Sequence, residues 1–520
     1  MTPMNPDPAA ADALFDPPFV SLLIHQQRTE NRPALQRLWD YYRNDLDFAG
    51  DTDNPSAARP YRAAQEQGLP PRLLNPPSFD SLGSSSPRHR EVVIENDIAW
   101  RIHTLVDFMF ARPVAIQSLA DDADKAAVVE RCLNAAFEAN GGVTFFQDAA
   151  LLGSVYGFVD LLLRADRLPT LPRREAPTCP RTSSDGSAAD RPADRAPSSP
   201  YSPERALRYA SQIVLETVEA PRAIPLLDPS DYRRLIGYML HYTQPLNQVE
   251  RASFLARLVG GDGVVRGRQA RVDVTEQWSA TEHRLYHGDD LVEAAAHPLG
   301  VLPVVHIQNL PQPFFYEGLS EVEPLIPLQD ELNTRLSDRA NRVTFQSFKM
   351  YLGKGIESFL ERPVAPGQMW TTDNLDAEIQ SFGGDGPNPS EDAHIQEIRE
   401  AMDKASAVTT VAAGLLRNKV GNLTSENALR IVMMGLLART EKKRVTYGQG
   451  IGRLCELILH TLDVAGVLPT TPDQRRVRLH WPSPIPENTT QRLRDAEIKQ
   501  RLGVPRHTLL AELGYETADQ

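Results

Sequence analysis

Apolar residues recur every three or four positions over several long stretches of the chain, and they alternate over shorter ones. In residues 20–45, Leu35, Leu38 and Tyr42 keep helical spacing between charged neighbours, which predicts an amphipathic helix or helix pair. Across 92–114, Ile98, Ile102, Val106 and Phe110 share one helical face until Pro113 stops the run. A further helix is expected near 122–139. Another starts near Val143, passes Phe146, Ala149 and Leu152, and leads into the apolar run GFVDLLL at 157–163, which reads as a buried strand. From 207 to 310 short runs such as SQIVLETV, RRLIGYMLHY, ARVDVTEQW, EHRLYH and VLPVVHIQN sit between Gly, Pro and Asp turns and predict strands.

Beyond Gly318 the period becomes helical again. Leu325, Leu328, Leu332, Leu336, Ala340 and Val343 mark a helix over 322–350, roughly 40 Å long at about 1.5 Å per residue. Its apolar stripe is narrow, and Asp330, Glu331, Arg335, Asp338, Arg339 and Arg342 flank it, so it should pack along a seam rather than into a thick core. Short strand-like pieces (MYLGKGI, GQMWTTD, AEIQSFGG) follow, and the turn GGDGPNPS offers Ser390 as a helix N-cap. Ile395, Ile398, Met402 and Ala405 predict a second helix, extending to about Leu416, before the polar loop RNKVGNLT. Thr424 is the expected cap of a third, running from Ser425 to about Val467 through Leu429, Val432, Leu436, Ile451, Leu454 and Ile458. Gly448, Gly450 and Gly452 lie inside it, each costing about 1 kcal/mol against Ala, and predict a kink. The tail reads as two short helices separated at Gly503 and Pro505.

Two stretches lack such periodicity. Residues 51–90 are rich in Pro, Ser, Gly and Asn and read as a loop or arm. Residues 165–205 interleave prolines with Ser, Ala, Asp and Arg, which predicts a disordered surface insertion. The whole is an α+β chain of several substructures, as 520 residues would allow.

Charge narrows the function. The chain carries 55 Lys and Arg against 68 Asp and Glu, a net −13, which disfavours a protein that grips nucleic acid by neutralising phosphates. A duplex sliding through a channel is a different case, because many counterion-releasing contacts would stall it. Cys132, Cys179 and Cys455 form no CxxC pair, so no disulfide framework or zinc site is indicated. The N-terminal residues lack a signal-peptide pattern and no run is long and apolar enough to span a bilayer, so neither secretion nor a membrane partner is expected.

Candidate chemistry is sparse. LGKGI at 352–356 lacks the elements of a phosphate-binding loop, and no HExxH, GxSxG, EF-hand or dinucleotide pattern occurs, so no catalytic residue, metal site or cofactor is assigned and the chain is not expected to be an enzyme. His283 and His287 are four apart but fall in a strand and turn, where a solvated pair is favoured over a metal site. Gly288, Asp289 and Asp290 read as hairpin punctuation. The run Lys442, Lys443, Arg444 is expected to be a solvated face or to pair with acidic neighbours rather than phosphate.

Several segments, in this order and spacing, resemble the portal proteins of long-tailed phages: LQRLWDYYRND, ENDIAWRIHTLVDFMFARPV, HPLGVLPVVHIQN, YEGLSEVEPLIPLQDELNTRLSDRANRV and AAGLLRNKVGNLTSENALRIVMMGLLARTEKKR. The resemblance implies a portal-type fold assembled as a homododecameric ring. Residues 1–19 would be a disordered lead, 20–318 a mixed wing containing the insertion, 319–350 a stem helix and 351–390 a small β clip. A second stem helix would cover 391–416, a tunnel loop 417–423, a long kinked wing helix 424–467 and a helical crown 468–520. Arg417, Asn418, Lys419 and Asn422 would ring the bore and exchange phosphate partners with passing DNA, while Arg335, Arg339 and Arg342 are candidates on the first stem helix. The implied partners are double-stranded DNA, the terminase large subunit, major capsid and scaffolding proteins and a head-completion adaptor. The implied location is the capsid portal vertex of the virion, with assembly in the host cytoplasm. Two other readings stay open: another virion connector or scaffold subunit, and a nucleic-acid-processing enzyme with dispersed acidic residues.

Overall fold

The computed structural model describes residues 14–44, 93–168, 202–245, 271–347, 350–354, 376–382, 389–409, 430–485, 489–505 and 509. In chain order the first elements are α1 (Pro17–Gln26), α2 (Arg32–Arg43), α3 (Asp97–Phe110), β1 (Ala115–Ser118), α4 (Ala123–Ala139), α5 (Val143–Tyr156) and β2 (Phe158–Leu163). Then follow α6 (Pro203–Ala210), β3 (Leu215–Val218), β4 (Ala223–Asp228), β5 (Asp231–Pro245), β6 (Arg271–Trp278), β7 (Glu282–His287), β8 (Asp290–Ala296) and β9 (Val304–Gln308). The last are α7 (Ile326–Ser347), β10 (Met350–Lys354), β11 (Glu378–Phe382), α8 (Pro389–Ser406), α9 (Met434–Val464), β12 (Val477–His480) and α10 (Thr489–Arg501). Of the disordered lead expected at 1–19, residues 1–13 lie outside the described residues, whereas Pro17–Phe19 already belong to α1; of the insertion expected at 165–205, residues 169–201 lie outside them, whereas Pro203–Arg205 open α6. The loop expected at 51–90, the segment GQMWTTD and the cap at Thr424 also lie outside the described residues.

Contacts divide the chain into two compact units. The first comprises Met1–Trp39, Ile102–Glu321 and Val408–Gln520; the second comprises Asp40–Arg101 and Val322–Ala407.

The first unit is built on β2. All six residues of FVDLLL are buried, as an unalternating apolar run requires when both faces of a strand are covered. Its antiparallel neighbours are β3 and β9. The helix α5 precedes it with nearly continuous burial from Phe145 to Tyr156 and ends at Gly157, whose φ of +92° is a left-handed cap. A Cβ on Gly157 would overlap the Gly318 carbonyl, so glycine is required there by both backbone and space. Strands β4 to β8 form a five-stranded antiparallel meander in sequence order. Gly288 and Asp289 make the tight turn between β7 and β8, with His287 opposite Asp290, so the GDD segment is hairpin punctuation.

The long helix α9 contributes Tyr447, Ile451, Leu454, Ile458 and Leu462 to this core at three- and four-residue spacing. It corrects the expected kink: the helix is unbroken through Gly448, Gly450 and Gly452, and the interruption falls at Met433 instead. Close packing offsets the glycine cost, because a Cβ on Gly450 would overlap Ile307 of β9 and one on Gly448 would meet Trp481.

The C-terminal segment also departs from expectation. Before α10 it supplies β12, which pairs antiparallel with β1, so residues 468–520 are not purely helical. Trp481, just after β12, packs on Phe110 with ring centroids 5.3 Å apart. The signal was weak because VRLH is short and half exposed.

The second unit contains α7 and α8 with the antiparallel pair β10–β11 between them in sequence. Pro389 opens α8, so Ser390 lies inside the first turn rather than at the cap; proline's fixed φ and missing N–H suit that first position. The helix ends at Ser406, ten residues short of Leu416. Ala407 turns left-handed at φ +57° and the β-branched Val408 and Thr409 follow it.

Candidate functional site: the charged helical hairpin and its root

The pairing of α7 with α8 in the second unit is antiparallel, because Arg342 meets Glu391, Arg339 meets Asp392 at 3.1 Å, and Glu331 meets His394 at 3.5 Å. The apolar seam is thin. Leu332 on α7 and Ile395, Ile398 and Met402 on α8 are buried in it.

The three candidate arginines are all engaged by carboxylates of the hairpin itself. Arg335 donates to Glu331 at 2.7 Å and Asp338 at 3.4 Å on its own helix, while Arg339 and Arg342 cross to α8. They therefore neutralise local acids. Helix α8 bears five acidic residues and two basic ones, and Glu397 and Glu400 are exposed on it.

A second stripe of α7 escaped the sequence reading. Gln329, Asn333 and Ser337, spaced four apart, are buried and bind the extended backbone of 93–97. Asn333 Oδ1 accepts from the Glu95 amide at 2.9 Å, Gln329 Oε1 from the Asp97 amide at 3.1 Å, and Ser337 Oγ from the Val93 amide at 2.9 Å. Gln329 Nε2 donates back to the Glu95 carbonyl at 2.7 Å. The side chains supply the hydrogen bonds that a neighbouring strand would otherwise give. Two ion pairs clamp this segment and the start of α3 to α8: Glu95 with Arg399 at 2.8 Å, and the buried Arg101 of α3 with Asp403 at 2.6 Å. Burial pushes the Asp403 carboxyl above its usual range in spite of Arg101.

In the first unit, Glu321, the last residue of its segment Ile102–Glu321, is held by a buried ionic cluster. Glu321 accepts from Lys443 at 3.0 Å and Arg439 at 2.9 Å, both on α9, and Lys443 also donates to Ser154 of α5 at 2.7 Å. Burial raises the Glu321 carboxyl, but the two cations outweigh it and hold it below the usual range. Of the run Lys442, Lys443, Arg444, then, only Lys442 is an exposed cation. Lys443 is fully buried, and Arg444 donates to Glu441 at 2.9 Å.

Two more polar hubs lie in this unit. Asp160, in the middle of β2, accepts from Tyr238 and Tyr316 at 2.7 and 2.8 Å and contacts His306 at 2.7 Å. Arg164 pairs with Asp166, Glu216 and Glu276 and lies over Trp278. His283 and His287 sit four apart on β7. His283 is buried against Trp278 at 4.1 Å and beside Glu276, so its environment is a packed core. Among the described residues no group of three or more His, Cys, Asp or Glu could hold a metal ion, and no helix is long and apolar enough to cross a membrane.

Arg417, Asn418, Lys419 and Asn422 fall within 410–429, outside the described residues.

The family model described as "Phage portal protein, SPP1 Gp6-like" matches residues 186–519, well over half of the sequence. The chain belongs to this portal protein family. Portal proteins are structural, non-enzymatic components of the virion. The match spans the five-stranded meander, the α7/α8 hairpin and α9. No curated protein matches the sequence. Among solved structures, chains from "Virion of native gene transfer agent (GTA) particle" and "Neck of empty GTA particle computed with C6 symmetry" are similar to it at TM-scores of 0.41 and 0.42 and identities of 10% and 12%. Each similarity covers 80% of this chain and 89% of the other.

Proposed function

We propose that this portal protein forms a closed ring, a homododecamer, through which double-stranded DNA enters and leaves a viral head. The observation that carries the reading is the α7/α8 hairpin: two antiparallel helices with a thin apolar seam and charged flanks, joined in sequence by a small β element. Such helices bury too little alone and suit the staves of a ring, where each copy packs against the next through heterologous contacts that close on rotation.

In this assignment residues 20–318 form the wing, α7 and α8 the stem, 351–390 the clip, and 468–520 the crown. The tunnel loop at 417–423 presents Arg417, Asn418, Lys419 and Asn422 to the duplex, with residues 407–416 leading into it. Helix α9 spans the wing.

The mechanism is guidance. The acidic surplus of α8 repels phosphates, and with Arg335, Arg339 and Arg342 already neutralised the stem offers few counterion-releasing contacts to arrest DNA. The tunnel loop supplies a ring of exchangeable donors that reads no sequence. The work of packaging comes from a terminase docked at the clip, later replaced by a head-completion adaptor, while the wing meets capsid and scaffolding proteins.

Negative-stain images of the purified chain test the ring: closed particles with a central hole are expected, and a dispersed single-chain particle would overturn the reading. For the loop, Lys419→Glu should lower the DNA retained per assembled head, and unchanged retention would remove Lys419 from the bore.

A further inference from the structure

Among the described residues two surfaces of the first unit are left uncovered, one carrying unpaired arginines and the other unpaired carboxylates. One is a groove of two adjoining cavities of about 750 and 460 Å³ that share Arg233, His306 and Arg453; the larger is also lined by Asp231 and Glu456, the smaller by no carboxylate. Its lining carries Phe315, 54% exposed, and Val445 from α9, and Phe314, 83% exposed, packs on the ring of the lining residue Tyr232. Phe314 has φ +70°, a left-handed conformation that a bulky side chain adopts only when its surroundings impose it, and such strain collects at binding surfaces. Arg453 has no carboxylate partner among the described residues. The Arg233 guanidinium donates to the Tyr232 hydroxyl and lies over its ring, and among the described residues it has no ion pair, while its backbone amide donates to Asp231.

The other surface is the edge strand β8. It is the last strand of the meander and is exposed along nearly all of its length. It displays Leu291 and Val292 beside Asp289, Asp290 and Glu293, and none of these carboxylates has an ion pair among the described residues. An uncovered apolar edge is a site for association.

These surfaces cannot satisfy one another within one chain. The antiparallel order puts the β4–β5 turn, beside Arg233, and the β7–β8 turn at opposite ends of the meander. The strands β5 and β8 are also separated by three inter-strand spacings, about 14 Å. Two distinct, complementary patches at opposite corners are what a heterologous, ring-closing contact needs.

We infer that the acidic, apolar β8 edge of one subunit docks on the Arg233/Arg453 aromatic groove of the next. The occupant of the groove is a second copy of this chain. The apolar side chains exclude water and the charge pairs fix orientation and register. The inference rests on the ring proposed above, and it names the surfaces through which the ring closes.

Charge reversal tests it on the full-length chain, with ring fraction read by light scattering and negative stain. Arg233→Glu with Arg453→Glu should lower the ring fraction about tenfold, and so should Asp290→Arg with Glu293→Arg, because each sets like charges face to face. All four substitutions in one chain should restore rings. Unchanged melting and circular dichroism, expected for exposed sites, exclude misfolding as the cause. Rings from both pairwise variants at wild-type yield would overturn the contact and leave the ring reading intact. Loss without recovery in the combined variant would also overturn it. A wild-type chain that forms no rings would instead remove the ring reading itself.

Discussion

The two units solve the same problem, holding polar groups away from water, by different means. In the first, charges are buried outright: Glu321 between Lys443 and Arg439, Arg164 among three carboxylates, Asp160 under two tyrosines. In the second, neutral side chains of α7 take the backbone of 93–97, and most ion pairs of the hairpin stay in contact with solvent, with Arg101 against Asp403 the buried exception. Buried charges are tolerated only in a core that fully surrounds and pairs them, so the first unit has such a core on its own. A hairpin stitched by solvated pairs has gained little from them, and in the proposed ring its flanks would meet a neighbouring copy.

The difference has graded consequences. The largest should come from Lys443→Met, which leaves Glu321 buried with one cation removed. We expect a loss of about 3 kcal/mol in urea denaturation, the low end for a broken buried pair because Arg439 remains. A loss under about 1 kcal/mol would mean that water reaches the cluster.

Acid should reach the first unit next. Burial raises the Glu276 carboxyl, but the adjoining His283, the Arg164 charge and the Tyr242 hydroxyl outweigh it and bring it down to about 2. A lowered folded value means that the stabilisation is complete above the ordinary carboxylate range near 4.5 and is lost as pH falls toward 2. Melting followed between these limits should drop, and Glu276→Gln, already less stable at neutral pH, should show a shallower drop.

Within the second unit the polar ladder matters more than the ion pairs. Asn333→Ala strands the Glu95 amide and should cost about 2 kcal/mol. Arg339→Ala should stay within about 1 kcal/mol, because both it and Asp392 are largely solvated. If Arg339→Ala proved the costlier of the two in urea denaturation, the contrast between ladder and salt bridges would fail.

Local pattern carried much of the fold. Ile98, Ile102 and Phe110 lie on a buried helical face, FVDLLL is a fully buried strand, and the runs from SQIVLETV to VVHIQN are strands. What local pattern could not reveal depends on partners far away in sequence. Gln329, Asn333 and Ser337 look like ordinary solvated helix residues until the segment more than two hundred residues earlier lies against them. Their regular spacing of four was the available signal. Lys443 sits in a run that reads as surface charge, and only Glu321, 122 residues away, makes its burial intelligible. The glycines of α9 predict a break by propensity, yet Ile307 and Trp481 use the space they leave. Of the candidate site residues, Arg335, Arg339 and Arg342 do lie on the hairpin, but side-chain direction is a tertiary property and each turns to a carboxylate.

Hydrogen exchange across the assembly transition tests most directly the claim that the hairpin leans on neighbouring copies while the first unit does not. As protein concentration rises and rings form, amides of 326–347 and 389–406 should gain protection by at least about tenfold, with β2 and α9 protected equally before and after. Equal protection of the hairpin in dispersed and assembled protein would contradict the account.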